Sequence, residues 1–350
     1  MLPKRARLAI SAALSERTSR RVRQQLSDVA AGGREVVVGP WLGEVGFELL
    51  YWIPFLQWAV DIAGLDRSRI LVVSRGGVAG WYRHVSDRYA DVLDHLSPEE
   101  FEARNRERHE EVGEQKQVRP TSLDRDIVSR VSAAFGLRDP HVLHPSAMYD
   151  LLRPYWWGHR SSAWVEQHAH FRPFDTAPLV VPPPASIDLP PGYAAVKFYF
   201  NECFPATSDN RALATTVVRE LSEEGPVISL ATGLRVDDHL GWEEEERMTK
   251  HGIRTSLTPA TNLGVQSAIV AGARAWAGTY GGFAYLAPFY GVPAAAFYSN
   301  AAGFSRRHLE LAERVFGRFG SGLLRLNASP LNASPRDTSP RLATPARRHA

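Results

Sequence analysis

Short apolar segments recur along this chain, and stretches with a helical pattern separate them. The runs at 35–39 and 69–74 are rich in valine, and a glycine lies at or just after the end of each. Such runs are typical of a parallel sheet that helices cover on both faces. In the second half the strand candidates lie at 193–200, 226–232, 253–256, 275–280, 294–299 and 323–326. This alternation predicts an α/β chain with doubly wound, mostly parallel sheets.

A proline-rich connection divides the chain into two parts. Seven prolines fall between 172 and 192, where they disfavour helix and favour a stiff, extended segment. The length also suggests two domains, at roughly 150 residues each. We therefore expect an N-terminal Rossmann-like domain at 35–175, a linker at 176–192 and a C-terminal Rossmann-like domain at 193–326.

Positive charge is concentrated at the two ends of the sequence. The whole chain carries +3, but residues 1–34 carry +6 and residues 327–350 carry +3, which leaves 35–326 at −6. A nucleic-acid enzyme places its positive charge along the groove that holds the phosphates, so this distribution argues against nucleic acid as a partner. The repeated Leu-Asn-Ala-Ser-Pro at 326–335 predicts a disordered tail at 327–350.

The basic N-terminal extension at 1–34 alternates arginine clusters with apolar residues, among them Leu14, Val22 and Leu26. This pattern predicts a weakly amphipathic helix, which either contacts a membrane surface peripherally or forms a solvated or docked helix. No apolar run of about 18 residues, the length of a membrane span, occurs in the sequence. The single cysteine, Cys203, fits a reducing compartment. We expect a cytoplasmic protein that is at most peripheral to the inner face of the membrane.

A glycine loop in the second half carries the clearest functional pattern. Residues 262–293 run from a helix through an Ala-Gly-Ala turn, a strand, the loop at Gly281-Gly282 and a second helix to Gly-Val-Pro. A glycine-rich turn between a strand and a helix lets main-chain N–H groups approach a diphosphate, and the helix dipole favours its charge. The alternative is that these two glycines only permit a tight turn.

This order of elements resembles the donor-binding stretch of the bacterial heptosyltransferase-like glycosyltransferases, which have the two-domain GT-B fold. The resemblance implies a nucleotide-sugar donor, with no other cofactor and with protein groups instead of a metal ion offsetting the diphosphate charge. The sequence departs from the family at two positions, where Tyr280 replaces an Asp and Tyr285 replaces a His, so the donor cannot be inferred from it. The implied donor- and phosphate-binding residues of the loop are Thr279, Tyr280, Gly281, Gly282 and Phe283.

The first half contains an acidic motif that fits the same family. In the resembled pattern a catalytic Asp lies six positions before a proline at the start of the first helix, and here Glu48 stands at that distance from Pro54. Glu44, in the preceding loop, is the competing candidate. Sugar transfer with inversion needs a base for the proton of the acceptor hydroxyl, and a carboxylate within hydrogen-bond reach can serve. The alternative role for both residues is a charge that favours the helix N-terminus.

Residues at the ends of other predicted strands complete the expected cleft, because ligands bind at the carboxyl ends of the strands in doubly wound sheets. Lys197 draws attention among them, since a lysine in an otherwise buried strand needs a partner. Further donor-side candidates are Arg211, Thr232 and Gly233. The acceptor-side candidates are Gly43, Gly46, Arg75, Gly76 and His144.

These features predict a glycosyltransferase that moves a sugar from a nucleotide-sugar donor to a glycan, a lipid-linked or another hydroxyl acceptor. Two alternatives remain: a sugar-nucleotide epimerase of the same fold, and a noncatalytic binding protein that retains the fold. We predict no metal site, because the histidine pairs 141/144 and 168/170 lack a second ligand cluster and 237–239 fits a polar loop.

Overall fold

The computed structural model describes residues 4–113, 116–175, 189–231, 240–241, 249, 251–252, 257–320 and 323–327. Several predicted features lie outside these residues: most of the 176–192 linker, Thr232 and Gly233, the 237–239 loop, the strand at 253–256 and the tail after residue 327. Within the described part, no helix combines the length and the apolar character needed to cross a membrane.

The N-terminal half contains a parallel sheet of four strands in the order β3–β2–β1–β4. Its strands are β1 (Val36–Val38), β2 (Ile70–Ser74), β3 (Tyr89–Asp91) and β4 (His141–Leu143). Its helices are α1 (Lys4–Ala31), α2 (Val45–Phe47), α3 (Ile53–Ala63), α4 (Pro98–Val112), α5 (Ser122–Ala134), α6 (Ser146–Trp156) and α7 (Ser162–Glu166), with a π-helical segment at Glu48–Trp52 between α2 and α3. Short 3-10 helices cover Arg67–Arg69, Ala79–Tyr82 and Val92–Asp94.

The two central strands, β1 and β2, are buried on both faces, as their near-continuous apolar sequence predicts. Because successive side chains of a strand point to opposite faces, Val37 belongs to one apolar cluster with residues of α4 and α5, whereas Val36 and Val38 belong to the larger core. Full burial of one such valine stabilises the fold by about 1.5–3 kcal/mol.

Helix α1 packs against α3 and α6. Its buried stripe includes Val22, Leu26 and Val29, which recur at helical spacing. The Arg69 guanidinium donates to the carbonyl oxygens of Val29 and Ala30 at 3.1 Å, where the last helical carbonyls lack intrahelical partners. The basic N-terminal segment is therefore a docked helix over its C-terminal part.

The C-terminal half contains a parallel sheet of six strands in the order β12–β11–β10–β5–β7–β9, and a separate antiparallel pair, β6 and β8. The strands are β5 (Ala194–Lys197), β6 (Tyr199–Phe200), β7 (Val227–Ser229), β8 (Leu240–Gly241), β9 (His251–Gly252), β10 (Ala275–Thr279), β11 (Ala294–Tyr298) and β12 (Leu323–Asn327). The helices are α8 (Ser208–Glu224), α9 (Asn262–Gly272), α10 (Leu286–Phe289) and α11 (Arg306–Phe319), with 3-10 helices at Gly282–Tyr285 and Ala301–Gly303.

The predicted single strand at 193–200 is split in the structure. Pairing of β5 with β10 ends at Lys197 and Gly278, and the Thr279 hydroxyl then bonds both main-chain groups of Tyr199, with its N–H at 3.0 Å and its carbonyl at 2.6 Å. A side chain thus replaces the next rung of the ladder, and residues 199–200 pair with β8 instead.

Two separate parallel sheets with helices between their strands confirm the predicted α/β fold class of two Rossmann-like domains with doubly wound, mostly parallel sheets. Helix α11 belongs to the C-terminal half but contacts the N-terminal half, where the Tyr155 hydroxyl donates to the Arg307 carbonyl at 2.5 Å. The exact domain boundaries stay a prediction.

Candidate active site between the two halves

Glu48 begins the π-helical segment that joins α2 to α3, and its side chain is completely buried. The Ser74 hydroxyl, at the end of β2, donates to its Oε1 at 2.6 Å, and the Tyr82 hydroxyl donates to the same oxygen. The other oxygen, Oε2, is buried without a hydrogen-bond partner among the described residues. Since a buried carboxylate oxygen normally has a partner, this atom is the unusual feature of the site.

The surroundings of Glu48 raise the pKa of its carboxyl group from 4.5 to about 7. Burial is the largest cause, because it penalises the charged form, and the nearby Asp91 carboxylate raises the pKa further. The Arg75 guanidinium and the hydroxyls of Ser74 and Tyr82 act in the opposite direction by stabilising the anion. A carboxyl group with this pKa can accept or release a proton near neutral pH.

Asp91, at the end of β3, is the second buried carboxylate of this cluster. Its Oδ2 accepts hydrogen bonds from the Gly77 N–H at 2.7 Å and the Tyr89 hydroxyl at 2.9 Å, and its Oδ1 accepts one from the Leu93 N–H at 2.9 Å. Burial nevertheless raises the pKa of Asp91. Sequence reasoning missed this residue because a strand of three residues is too short to show a pattern.

Glu44 and Glu48 differ sharply in their environments. Glu44 is exposed at the start of α2 and makes no side-chain cap, whereas Glu48 is buried and hydrogen-bonded. Arg75, predicted on the acceptor side, follows β2. Its guanidinium donates to the Gly43 carbonyl oxygen, and its positive charge stabilises the anionic form of Glu48. The structure therefore brings Gly43, Arg75 and Glu48 together and leaves Glu44 at the surface.

The two glycine loops predicted from the sequence touch each other. A Cβ atom on Gly282 would lie 2.4 Å from the Gly46 nitrogen, and one on Gly46 would lie 2.7 Å from the Gly282 Cα. A Cβ on Gly281 would lie 2.0 Å from the Tyr199 hydroxyl oxygen. Gly281 is extended at φ 171° and Gly282 has no positive φ, so neither glycine serves a left-handed turn. The small size of Gly282 instead permits close approach of the two halves, and that of Gly281 makes room for Tyr199 of its own half.

Lys197 is held beside the C-terminal glycine loop. Its Nζ donates to the Gln266 Oε1 at 2.6 Å and lies 4.0 Å from the centre of the Phe283 ring. The Gln266 amide in turn donates to the Asn262 Oδ1 at 2.6 Å. The predicted need for a partner is therefore met, among other contacts, by an amide and an aromatic ring.

Two tyrosines occupy the positions where the resembled family has Asp and His. The hydroxyls of Tyr280 and Tyr285 are 2.8 Å apart, and both side chains are buried, which raises the pKa of each phenol. This part of the loop is therefore uncharged. Thr279 is also buried, and its hydroxyl bonds the main chain of Tyr199 as described above.

The remaining candidates lie in other contacts. Arg211 is exposed and stacks on the Phe200 ring at 4.6 Å. Gly76 has a φ of +80°, and its carbonyl oxygen accepts from the Gly264 N–H at 2.7 Å, so this loop contacts α9 of the other half.

His144 lies 3.3 Å from Asp124, whose carboxylate accepts from Gln117. Since Gln117 also bonds the Pro40 and Leu42 main chain, this network supports the turn before the first glycine loop.

An aromatic contact also joins the C-terminal half to the N-terminal half. His308 of α11 packs edge-on against Phe47 and Tyr51, and its Nδ1 is 2.5 Å from the Tyr51 hydroxyl. Burial, together with the Lys116 charge, lowers the pKa of His308 to about 4, so the ring is neutral at neutral pH. Across the described residues, no group of three or more His, Cys, Asp or Glu side chains is arranged to hold a metal ion.

No family model matches this sequence, and no curated protein is significantly similar to it. The chain is similar to a number of solved structures, among them the following three. The glycosyl transferase family 9 protein from Veillonella parvula has a TM-score of 0.44 and 12% identity, covering 84% of this chain and 86% of that one. The E. coli ADP-heptose LPS heptosyltransferase II has a TM-score of 0.38 and 11% identity, covering 82% and 100%. A putative UDP-N-acetylglucosamine 2-epimerase from Listeria monocytogenes has a TM-score of 0.35 and 10% identity, covering 80% and 82%.

Proposed function

We propose that this chain is a glycosyltransferase that moves a sugar from a nucleotide-sugar donor to a hydroxyl group of a glycan or lipid-linked acceptor. The acceptor oxygen attacks the anomeric carbon, and the bond from that carbon to the diphosphate oxygen breaks. The nucleoside diphosphate leaves with the electron pair, and the acceptor proton passes to Glu48. Because one carboxylate acts as base and the attack is direct, the configuration at the anomeric carbon inverts.

The observation that carries this proposal is the state of Glu48. Its carboxyl group combines complete burial, a pKa of about 7 and one oxygen without a partner. Ser74 and Tyr82 hold the first oxygen, so the second is the one available to receive a proton. A purely structural glutamate at a helix start would be expected at the surface, as Glu44 is, where the helix dipole is served without desolvation.

On the donor side, Lys197 supplies a positive charge next to the loop at 279–283. Its amide partner Gln266 accepts a hydrogen bond from the ammonium group at 2.6 Å and orients it. A diphosphate that replaced part of this contact would gain a charge-assisted hydrogen bond, which is stronger than a bond between neutral groups. Together with main-chain N–H groups of the loop, Lys197 would offset the charge of the leaving group, so we propose that transfer needs no metal ion.

Access to Glu48 requires the two halves to move apart. The glycine loops are in contact at Gly46 and Gly282, and Glu48 has no exposed surface. Backbone atoms at this contact cannot turn aside as a flexible side chain can. We therefore propose an opening motion that admits both substrates and a closed form in which water is excluded from the carboxylate.

A panel of nucleotide sugars tests the proposal directly. Each donor is incubated with the protein, first alone and then with candidate hydroxyl acceptors, and the products are identified by mass spectrometry. Release of nucleoside diphosphate that depends on Glu48 supports transfer, and the reaction should persist in EDTA. Conversion of the donor to an isomeric sugar nucleotide would instead identify an epimerase. Donor binding without any conversion would identify a noncatalytic protein.

A further inference from the structure

The three most exposed large apolar side chains among the described residues lie close together, although one of them comes from a distant part of the chain. Trp157 is 66% exposed at the end of α6, and Leu14 and Ile10 on α1 are 58% and 49% exposed. Single exposed apolar residues are ordinary, but a cluster that includes tryptophan marks an interaction surface. None of these side chains belongs to the contact between the two halves.

A series of contacts shows that these residues share one surface. Helices α1 and α6 run antiparallel, since Arg21 bonds Asp150 at 3.0 Å while Ser11 bonds His159 at 3.0 Å. Trp157, just before His159 and in ring contact with it, therefore lies level with the segment of α1 that holds Leu14. Ile10, Leu14, Arg17 and Arg21 follow helical spacing and fall on one face of α1.

Arginines surround the apolar residues of this surface. Arg17 and Arg21 extend from the exposed side of α1, and the Arg153 guanidinium lies 5.5 Å from the centre of the Trp157 ring. Asp150 pairs with both Arg21 and Arg153 and neutralises one of the three charges. The face therefore combines an exposed tryptophan, two aliphatic side chains and excess positive charge, which we name the Trp157 face.

Next to this face, an open depression of about 420 Å³ continues along α1 toward β4. It is lined by the polar side chains of Arg21, Gln24, Gln25, Asp28 and His141, and by Val29 and the exposed Val142. From residue 10 to residue 28 the helix rises about 27 Å, at roughly 1.5 Å per residue. The combined surface is thus long, amphipathic and parallel to one helix.

We propose that the Trp157 face binds the surface of an anionic phospholipid membrane, with α1 lying in the plane of the headgroups. Tryptophan is enriched at membrane interfaces because its ring is apolar and its N–H is polar, and arginines are attracted to anionic headgroups. A nucleic-acid partner would use the arginines but not Leu14 and Ile10. This inference goes beyond the proposed glycosyl transfer and does not depend on it, since binding is measured without a donor.

Flotation of the full-length protein with vesicles tests the proposal. One set contains only phosphatidylcholine, and the other contains phosphatidylglycerol as well. Two net arginine charges near an anionic surface should raise partitioning by about 30-fold over the neutral vesicles, and added salt should remove most of that gain. The double variant Leu14→Ser with Trp157→Ser should lose binding to the anionic vesicles.

Two further variants keep the test decisive. Phe135→Ser removes a different exposed apolar side chain, 41% exposed on α5's C-terminal side, and should bind vesicles like the wild type. Arg17→Glu reverses a charge without touching the apolar residues and should weaken binding to anionic vesicles only. The proposal would be overturned if the wild type bound both vesicle types equally, or if the double variant bound as the wild type does. It would also be overturned if neither form bound vesicles and the double variant instead dissociated a dimer.

Discussion

Replacing Glu48 with Gln should make the protein more stable at high pH, relative to the wild type, than at low pH. The ordinary pKa of 4.5 applies to the unfolded chain, and the folded protein raises it to about 7. The folded state therefore binds more protons than the unfolded state between these values. Stability from this group is fully present below about pH 4.5 and is lost as the pH rises through 7.

The size of the effect follows from the difference between the two pKa values. Each unit corresponds to about 1.4 kcal/mol, so the contribution of Glu48 to the free energy of unfolding should fall by roughly 2–3 kcal/mol between pH 5 and pH 8.5. Glu48→Gln removes this term and leaves the other titrating groups in place. The amide oxygen can still accept from Ser74 and Tyr82, so the packing around the site should be retained.

Urea unfolding of the wild type and the variant at both pH values measures the prediction. Relative to the wild type, Glu48→Gln should gain roughly 2–3 kcal/mol on going from pH 5 to pH 8.5. Activity should show the opposite trend in the wild type, since a base must be ionised: kcat/KM should rise with pH through about 7. The variant should lose about 10²–10⁴-fold in kcat while keeping donor affinity.

Glu44→Gln is the matched control, because the same chemical change is made at an exposed carboxylate of the same loop. It should alter neither the pH dependence of unfolding nor kcat. A stability difference between wild type and Glu48→Gln that does not vary with pH would refute the reasoning about burial. Loss of turnover in Glu44→Gln alone would transfer the role of base to Glu44.

Gly282→Ala should lower the melting temperature and weaken the contact between the halves, because its Cβ would lie 2.4 Å from a main-chain nitrogen. Gly317→Ala is the control, since there is open space at that position, and calorimetry should show no loss of melting temperature for it. Lys197→Met should weaken donor binding by about 10- to 150-fold in titration calorimetry, as expected for loss of a charged hydrogen bond, and an unchanged affinity would remove the lysine from the site. Arg69→Ala should cost about 1–2 kcal/mol in urea unfolding because it strips the carbonyls at the end of α1 of their donors, and a neutral result would mean that water replaces them. Deleting 328–350 should leave the melting temperature nearly unchanged, since the sequence there has little apolar surface to bury; a large fall would contradict this.

The sequence was sufficient to predict the two parallel sheets because their strands, such as those at 36–38 and 70–74, are continuous apolar runs bounded by glycine. The same local information predicted both glycine loops, because a few neighbouring residues determine such features. The acidic residue at the first helix was identified instead through the resemblance to the heptosyltransferase-like pattern. The split of the predicted 193–200 strand was not foreseen, since it depends on the Thr279 hydroxyl, which comes from a strand about 80 residues away.

The rest of the site depends on contacts between distant segments, which periodicity does not reveal. Asp91 and Tyr82 acquire their importance only because β2 and β3 are neighbours and bring them toward Glu48. The choice between Glu44 and Glu48 was also open, since the two acidic residues are close in the sequence and their difference in burial is not visible there. The glycines at 281 and 282 were predicted to allow ligand approach or a tight turn, and ligand approach stays a prediction. Their close contacts with Tyr199 and Gly46 could not be predicted, because those residues are distant in the sequence.

A substitution at Gly46 or Gly282 cannot be compensated by a second substitution at the other residue of the pair. When a large side chain meets a small one, growth of the first can be balanced by shrinkage of the second. Here both partners already lack a side chain, and the atoms that a new Cβ would strike belong to the main chain. Homologues of this chain should therefore vary charged residues such as Arg75 and Lys197 more freely than these two glycines, which makes the pair a better marker of common descent than the acidic or basic residues nearby.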